Sequence, residues 1–344
     1  MRWLKIHTAN CFGFDKATFD ERVVWCDERI DEMKTDPVAF WKANDPGEKA
    51  RWAALAALLD LVGDGPIKVL PQVDATCSGL QHLAAMAGDE SVATATNVIP
   101  SSDGLRCDPY MTTADACGRD RSEVKLSVMC IPYGISLPGM IDQLIEEGIE
   151  PCRIKATILA EEIWASCEGL MSGVLSIMKF LKSSGRVLAE ANIRPQWTTP
   201  SGLVVVMPTA ILKRRISIMD PKGNMVKTQF GVESSDQVDP NQVVRGMAPN
   251  FVHSYDAALV ALVVSRWDGV ITCIHDCFAT TADKMDDLRT LIHECFVELY
   301  GVDAIQRVRN EFVHSAPSGV NIPLTPVRRD MDLTRSLTSE YMYS

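Results

Sequence analysis

The sequence predicts an α+β protein, mostly helical, with one small sheet that gathers its most informative acidic residues. Helical spacing of apolar residues runs through the first 64 positions and again over 151–190. Between Trp197 and Phe230 the period changes to two, in β-branched runs bounded by turn residues. Two short apolar runs, 67–73 and 270–274, each lead to an aspartate, Asp74 and Asp276.

The elements follow in order. Residues 17–34 carry Val23, Val24, Cys26, Ile30 and Met33 at helical spacing, and 48–62 do the same with Trp52, Leu55, Leu58, Leu59 and Val62 before a Gly63–Pro66 stop. The 67–73 run reads as a buried strand, and 77–87 as a helix. The polar text of 93–118 reads as a loop, 121–131 as a helix, and 132–138 as a turn. The long helix of 151–190 is expected to break near Ser183-Ser184-Gly185. Strands are expected at 203–207, 212–219 and 225–230, the last two joined by a turn at 220–224. Residues 249–266 and 284–314 read as helices around strands at 270–274 and 276–280. No repeat or low-complexity tract interrupts the chain. The expected organisation is a helical lead-in (1–66), a strand segment (67–92), a helical block (93–195) holding the 121–134 segment, a β-hairpin region (196–247) and a last mixed segment (248–344).

With 344 residues, 47% of them hydrophobic and 23% charged, the chain can bury a sizeable core, which excludes a disordered tail, a coiled coil or a collagen-like fibre. The net charge of −11 argues against a simple nucleic-acid-coating protein but leaves room for a local basic groove. No apolar run approaches the roughly 18 residues of a membrane span, and no signal-like stretch follows Met1, so a cytoplasmic setting is expected. Eleven cysteines without a Cys-x-x-Cys pair read as reduced thiols; a metal–thiolate site at Cys273 and Cys277 is the weaker alternative.

Three constellations carry chemistry. Asp74, in Val73-Asp74-Ala75-Thr76-Cys77-Ser78-Gly79-Leu80-Gln81-His82, fits an N-cap of the following helix better than a functional acid when the segment is taken alone. Asp276, in Ile274-His275-Asp276, is harder to dismiss, because an aspartate within an apolar β run is costly unless it is paired or binds a cation. Brought together, the two would suit a pair of Mg²⁺ ions of the kind that drive phosphoryl transfer. In the third, Arg121, Lys125, Met129 and Tyr133 recur every fourth residue and form one helical stripe. At about 1.5 Å per residue, Lys125 and Tyr133 stand about 12 Å apart, near the reach of a nucleoside triphosphate. A solvated amphipathic face is the better reading of this stripe when it is taken alone.

Together these segments resemble the single-subunit RNA polymerases of bacteriophages and mitochondria, relatives of the DNA polymerase I group. Motif A is matched by the segment around Asp74, motif B by Arg121-x3-Lys125-x7-Tyr133-Gly134, and motif C by Ile274-His275-Asp276. Ala248–Ser254, the Trp3–Lys16 segment and the aromatic ending Ser339–Ser344 resemble further family signatures, all in the family's order. The resemblance implies a polymerase palm with mostly helical fingers. It also implies that Asp74 and Asp276, with the Ala75 carbonyl, bind two Mg²⁺ ions. Lys16, Arg121 and Lys125 would hold the triphosphate, while Tyr133, Gly134 and His253 would meet the sugar and base. His275 would support the metal-site turn, although a satisfied core histidine is an equal reading.

Related DNA polymerases carry a glutamate where Gly79 stands and an aromatic residue where Met129 stands; their absence favours ribonucleotides. The implied function is the catalytic subunit of a DNA-directed RNA polymerase acting on DNA template, RNA product and ribonucleoside triphosphates in a phage-infected bacterial cytoplasm. A DNA polymerase of the same group and an inactive nucleic-acid-binding scaffold are the rivals. Family members place a promoter- and RNA-binding domain, a thumb and an Asp-x-x-Gly-Arg motif ahead of the segment resembling Trp3–Lys16. A second polymerase subunit is expected to supply them, as in the heterodimeric enzymes of a few phages, with an accessory promoter-recognition protein as a further expectation. The segment from Tyr110 to Arg121 is shorter than in relatives, and Pro132 is expected to kink the end of the motif B helix. By position, 212–230 resembles the promoter specificity loop, with Lys213, Arg214 and Arg215 as candidate nucleic-acid contacts; a solvated basic hairpin is the alternative.

Overall fold

The computed structural model describes residues 1–209, 211–233 and 237–344, and at 211–215, 229–230 and 232–233 the backbone alone. Four helices open the chain: α1 (Arg2–Cys11), α2 (Phe19–Thr35), α3 (Pro37–Ala43) and α4 (Arg51–Val62). Thr18 starts α2 with a reciprocal capping box to Glu21, and Asp36 caps α3 just before Pro37. Leu4, Cys26, Met33, Phe40, Leu58 and Leu61 give these helices a small core of their own. From the same helix α1, Trp3 and Ile6 enter the main core, so α1 joins the two.

Strand β1 is only Gln72–Val73, shorter than the expected 67–73. The Asp60 carboxylate accepts the N–H groups of Lys68 and Val69, and Pro66 and Pro71 have none to give, so the run before β1 lacks donors for a ladder. Next come α5 (Ser78–Ala87) and α6 (Glu90–Ala95), then α7 (Pro109–Cys117). The last two correct the expected 93–118 loop: Asp108 caps α7 through the N–H groups of Tyr110 and Met111, Pro109 opens it, and left-handed Gly118 closes it.

Helix α8 (Arg121–Cys130) passes into a 3-10 turn at Ile131–Tyr133, which ends at left-handed Gly134. After α9 (Leu137–Glu146), the long helical stretch divides into α10 (Arg153–Leu170) and α11 (Ser172–Glu190). The break falls at Met171, not at Ser183–Gly185. Ser184 and Gly185 instead lie buried inside α11, where the missing side chain lets Val243 and Met247 approach to 3.1 and 3.3 Å of a Cβ position.

Two antiparallel pairs follow: β2 (Gln196–Thr198) with β3 (Val204–Val206), and the hairpin of β4 (Ile211–Met219) with β5 (Met225–Glu233). Asp220 organises the hairpin turn by accepting the N–H groups of Lys222 and Asn224. Helix α12 (Pro240–Arg266) starts nine residues before the expected helix and contains Pro249. By length and composition it could cross a membrane, which the sequence reading did not anticipate, yet half of its apolar window is buried against its neighbours. Its apolar content is explained by its place in the core, packed on α5 and α11.

Strands β6 (Thr272–Ile274) and β7 (Cys277–Ala279) and helices α13 (Met285–Leu299) and α14 (Ala304–Ser315) complete the fold. The expected 284–314 helix is thus two, parted around Gly301. The central sheet has the order β1-β7-β6, with both pairs antiparallel. The architecture is α+β.

Residues Tyr341–Ser344 lie along the segment after β1. Tyr343 bridges Ala75, Ser344 N–H donates to the Asp74 carbonyl at 3.0 Å, and the Thr76 hydroxyl donates to the Tyr341 carbonyl at 3.0 Å. Tyr343 is fully buried, its ring 5.8 Å from that of Phe278. Replacing Tyr343 by Ala is expected to cost roughly 3–5 kcal/mol in urea unfolding, the usual penalty for emptying an aromatic site.

His293 is buried, its Nε2 has no hydrogen-bond partner, and burial pushes its pKa down to about 4. The unfolded chain binds this proton near pH 6.5, so the contribution is complete above that value and is lost as pH falls towards 4. Between pH 7 and 5, His293→Gln is expected to flatten the stability loss by about 2 kcal/mol, as read from paired denaturation curves.

Candidate active site

The register of the central sheet decides the placement of the two aspartates. Gln72 pairs with Ala279 and Val73 with Phe278, so one further step sets Asp74 opposite Cys277 and beside Asp276. The turn from β6 to β7 is two residues long, His275 and Asp276, because Ile274 pairs with Cys277. His275 takes a left-handed φ of 54°, which the tight reversal imposes on a residue with a side chain. It is exposed, so the core-histidine alternative falls, and its backbone shapes the turn. The N-cap of α5 is Cys77, without a side-chain cap, so Asp74 is not a capping residue.

Both aspartates line a cleft of about 1740 Å³. That exceeds the roughly 300–1,000 Å³ of a site for one small ligand. Its crowded walls and the facing Asp276 charge push Asp74 up to about 6. Burial raises Asp276 as well, and the charge of Asp256 adds to it, while a hydrogen bond from Ser78 opposes the rise. Among the described residues no lysine or arginine forms an ion pair with either carboxylate.

An excess of negative charge on oxygen donors fits a hard divalent cation. No cluster of three or more His, Cys, Asp or Glu suited to a metal occurs among the described residues. Two carboxylates still suit a divalent cation that takes its remaining ligands from water and bound anions. Cys273 and Cys277 are free thiols, like all eleven cysteines, and form no such cluster.

The same cleft carries the stripe expected from the sequence. Arg121, Lys125, Met129 and Tyr133 all line the cleft, although Tyr133 sits on the 3-10 turn after α8 rather than on the α-helix. Pro132 changes the type of helix there without removing the stripe. Arg121 donates to Asp108 at 2.7 Å, and its guanidinium lies 5.2 Å from the Tyr110 ring centre. Lys16 reaches the cleft from the turn after α1, paired with Asp15.

Tyr133 stacks on His253 with ring centres 4.6 Å apart. Burial pushes its phenol up to about 12, and Ser78 hydrogen-bonds it, so it is a neutral hydroxyl at physiological pH. Ala75 also faces the cleft. Gly134 does not line it; its carbonyl accepts a hydrogen bond from Lys182 behind the wall. The side chains of Lys213, Arg214 and Arg215 lie outside the described residues.

Gly79 has a packing reason as well. A Cβ there would stand 2.8 Å from two Pro132 ring atoms and 3.1 Å from the Tyr133 hydroxyl. Any side chain would therefore push the 3-10 turn and its tyrosine out of place.

Asp256, Ser78 and Arg106 line the same cleft without having been singled out from the sequence. Asp256 lies one helical turn beyond His253 on α12, a spacing that puts both on one face. It accepts a hydrogen bond from buried His82 at 2.8 Å, and the other ring nitrogen of His82 meets the Tyr300 hydroxyl.

With this geometry in hand, comparison with known proteins is decisive: residues 1–119 and 112–343 match the DNA-dependent RNA polymerase family. The chain belongs to that family. The DNA-directed RNA polymerase of Pseudomonas phage phiKMV is 28% identical over 351 residues, covering 87% of this chain and 42% of the phage protein. In Arabidopsis thaliana, DNA-directed RNA polymerase 2, chloroplastic/mitochondrial, is 28% identical over 401 residues, covering all of this chain and 38% of the relative. The mitochondrial polymerase 1 of the same plant is 27% identical over 403 residues. The chain thus spans about two-fifths of the length of these family members. An alignment of 401 residues on a chain of 344 means that the relatives carry internal segments this family member lacks.

Two outcomes test the site's electrostatics and packing. Asp276→Asn removes one of two repelling charges, so without divalent ions it is expected to raise stability by on the order of 1 kcal/mol in thermal unfolding. Gly79→Ala is expected to lower it by about 1–3 kcal/mol, because the Pro132 ring cannot yield cheaply.

Proposed function

We propose that this chain is the palm-and-fingers catalytic part of a DNA-directed RNA polymerase. It would transfer ribonucleotides to the 3′-OH of an RNA paired with a DNA template. The observation that carries the reading is the cleft itself: the aspartate pair shares it with Lys16, Arg121, Lys125 and the Tyr133–His253 stack, and Ser78 hydrogen-bonds both Asp276 and Tyr133. The palm would be the β1-β7-β6 sheet with 67–92 and 248–344, and the fingers 93–195, with 1–66 leading into the palm.

Asp74, Asp276 and the Ala75 carbonyl would hold two Mg²⁺ ions. When bound, Mg²⁺ supplies charge neutralisation for an in-line displacement at the α-phosphate. Lys16, Arg121 and Lys125 hold the triphosphate by charge-assisted hydrogen bonds, leaving pyrophosphate on cations as the P–O bond to the α-phosphate breaks. The Tyr133 hydroxyl, oriented by Ser78, meets the sugar while its ring and that of His253 pack beside the nucleotide. At position 79 there is no side chain to oppose a ribose 2′-OH, and Pro132 leaves no space for one.

A second polymerase subunit is, in this reading, the proposed partner of the chain. The net charge of −11 supports a cleft that draws part of its positive charge from a partner. Lys213, Arg214 and Arg215, on a hairpin whose Lys222 and Lys227 are exposed, are proposed contacts to template DNA, with promoter recognition shared by an accessory protein. The phage relative supports the cytoplasm of an infected bacterium as the setting.

The test is primer extension on a pre-formed RNA–DNA hybrid, using the chain together with whatever subunit co-purifies. Ribonucleotides should be incorporated in preference to deoxyribonucleotides, and Asp276→Asn should reduce synthesis to background while the fold, followed by circular dichroism, persists. Preference for deoxyribonucleotides would favour the DNA polymerase rival, and full activity of the variant would overturn the assignment of the acids.

A further inference from the structure

The cations of the cleft are not equally free. Lys16 is paired with Asp15 and Arg121 with Asp108, so two of the three sequence-predicted phosphate ligands are partly neutralised. A nucleoside triphosphate carries close to four negative charges. Arg106 lines the same cleft, between these two groups in sequence and in contact with the turn that bears Lys16. Among the described residues no carboxylate forms an ion pair with it.

Its position is fixed from both sides. Asn97, held at a left-handed φ of 59°, clamps the neighbouring Cys107 backbone: its side-chain carbonyl accepts from Cys107 N–H, and its amide donates to the Cys107 carbonyl, each at 2.8 Å. The same amide donates to Thr76 Oγ1 at 3.1 Å, tying this loop to the segment that carries Asp74. At the other end, Nη1 of Arg106 donates to the Asp15 carbonyl, which also accepts from Nη2 of buried Arg22 at 2.8 Å. That bond uses one of the five N–H donors of a guanidinium and leaves its other edge for a ligand. Crowding by the cleft walls strips water from Arg106 and pushes its pKa down, although an arginine stays charged. Asp15 and Asp108 lie near enough for their charges to act on it, but neither carboxylate is bonded to it. A preorganised, partly dehydrated cation whose donors no carboxylate takes up is suited to phosphate oxygens, which a guanidinium can grip with two parallel hydrogen bonds.

We propose that Arg106 is a fourth phosphate-binding residue of this cleft, gripping the terminal phosphates of the incoming nucleoside triphosphate and the pyrophosphate that leaves. The proposal rests on the polymerase reading above. Because the same guanidinium holds the Asp15 carbonyl, it also sets the turn from which Lys16 reaches the same anion.

Calorimetric titration of the chain with Mg²⁺–tripolyphosphate tests this without requiring synthesis. Arg106→Gln is expected to weaken binding about tenfold, and Arg106→Lys, which keeps the charge, about threefold. In elongation assays Arg106→Gln should raise the KM for ribonucleotides by a similar factor, with kcat changed less. If Gln and Lys variants lose affinity equally and also melt earlier, Arg106 only props the Asp15 turn and the proposal is overturned. Unchanged affinity in Arg106→Gln, alongside a loss in Lys125→Ala, removes Arg106 from the pocket but keeps the pocket. No binding of tripolyphosphate by the wild-type chain counts against the polymerase reading itself.

Discussion

The structure is organised around an unfavourable contact: two like-charged carboxylates, Asp74 and Asp276, held side by side in a crowded cleft. Left to themselves they would separate or take up protons, and burial raises both, with the charge of Asp276 adding to it at Asp74 and that of Asp256 at Asp276. They stay together because a short antiparallel ladder and a two-residue turn leave them no alternative. The free energy comes from elsewhere: Phe278 and Tyr343 are fully buried, and residues Tyr341–Ser344 pair along the backbone from Asp74 to Thr76. An arrangement this tense is more readily understood as a cation site than as a structural device.

The cations that answer this charge stand on separate supports. Lys16 rides on a turn after α1, Arg121 and Lys125 on α8, and nothing in the local sequence of one places the other. Their link is polar. Asn97 fastens the loop before α7 to Thr76, while Asp108 in that loop both caps α7 and holds Arg121. One polar loop therefore ties Arg121 to the segment that carries Asp74.

At Gly79 packing and chemistry coincide. The residue was first read for what it does not obstruct, a ribose hydroxyl. In the folded chain it also seats Pro132 and Tyr133 against α5. Both follow from the same missing Cβ. The proline that seemed to threaten Tyr133 is thus part of its support, since the rigid ring fills the space above the glycine and the 3-10 turn keeps the tyrosine on the stripe begun by Arg121.

How much of this was legible in the sequence depended on the range of the forces involved. Helices with strong periodicity and end signals, α2, α4, α5 and α8, could be read directly, because caps and apolar spacing act within a few residues. Helix α7 could have been found from Asp108-Pro109 and Gly118 but was obscured by its polar composition. The break at Met171 and the continuity of α11 through Ser184-Gly185 could not, because they depend on how closely α12 approaches. The site divides in the same way. The identities of Asp74, Asp276, Arg121, Lys125 and Tyr133, and their order along the chain, were fixed by sequence alone. That the two acids adjoin, that Asp256 and Arg106 share their cleft, and that Asp74 is no helix cap were decided only by tertiary structure, since pairing register and long-range hydrogen bonds join residues whose local sequences carry no mark of one another.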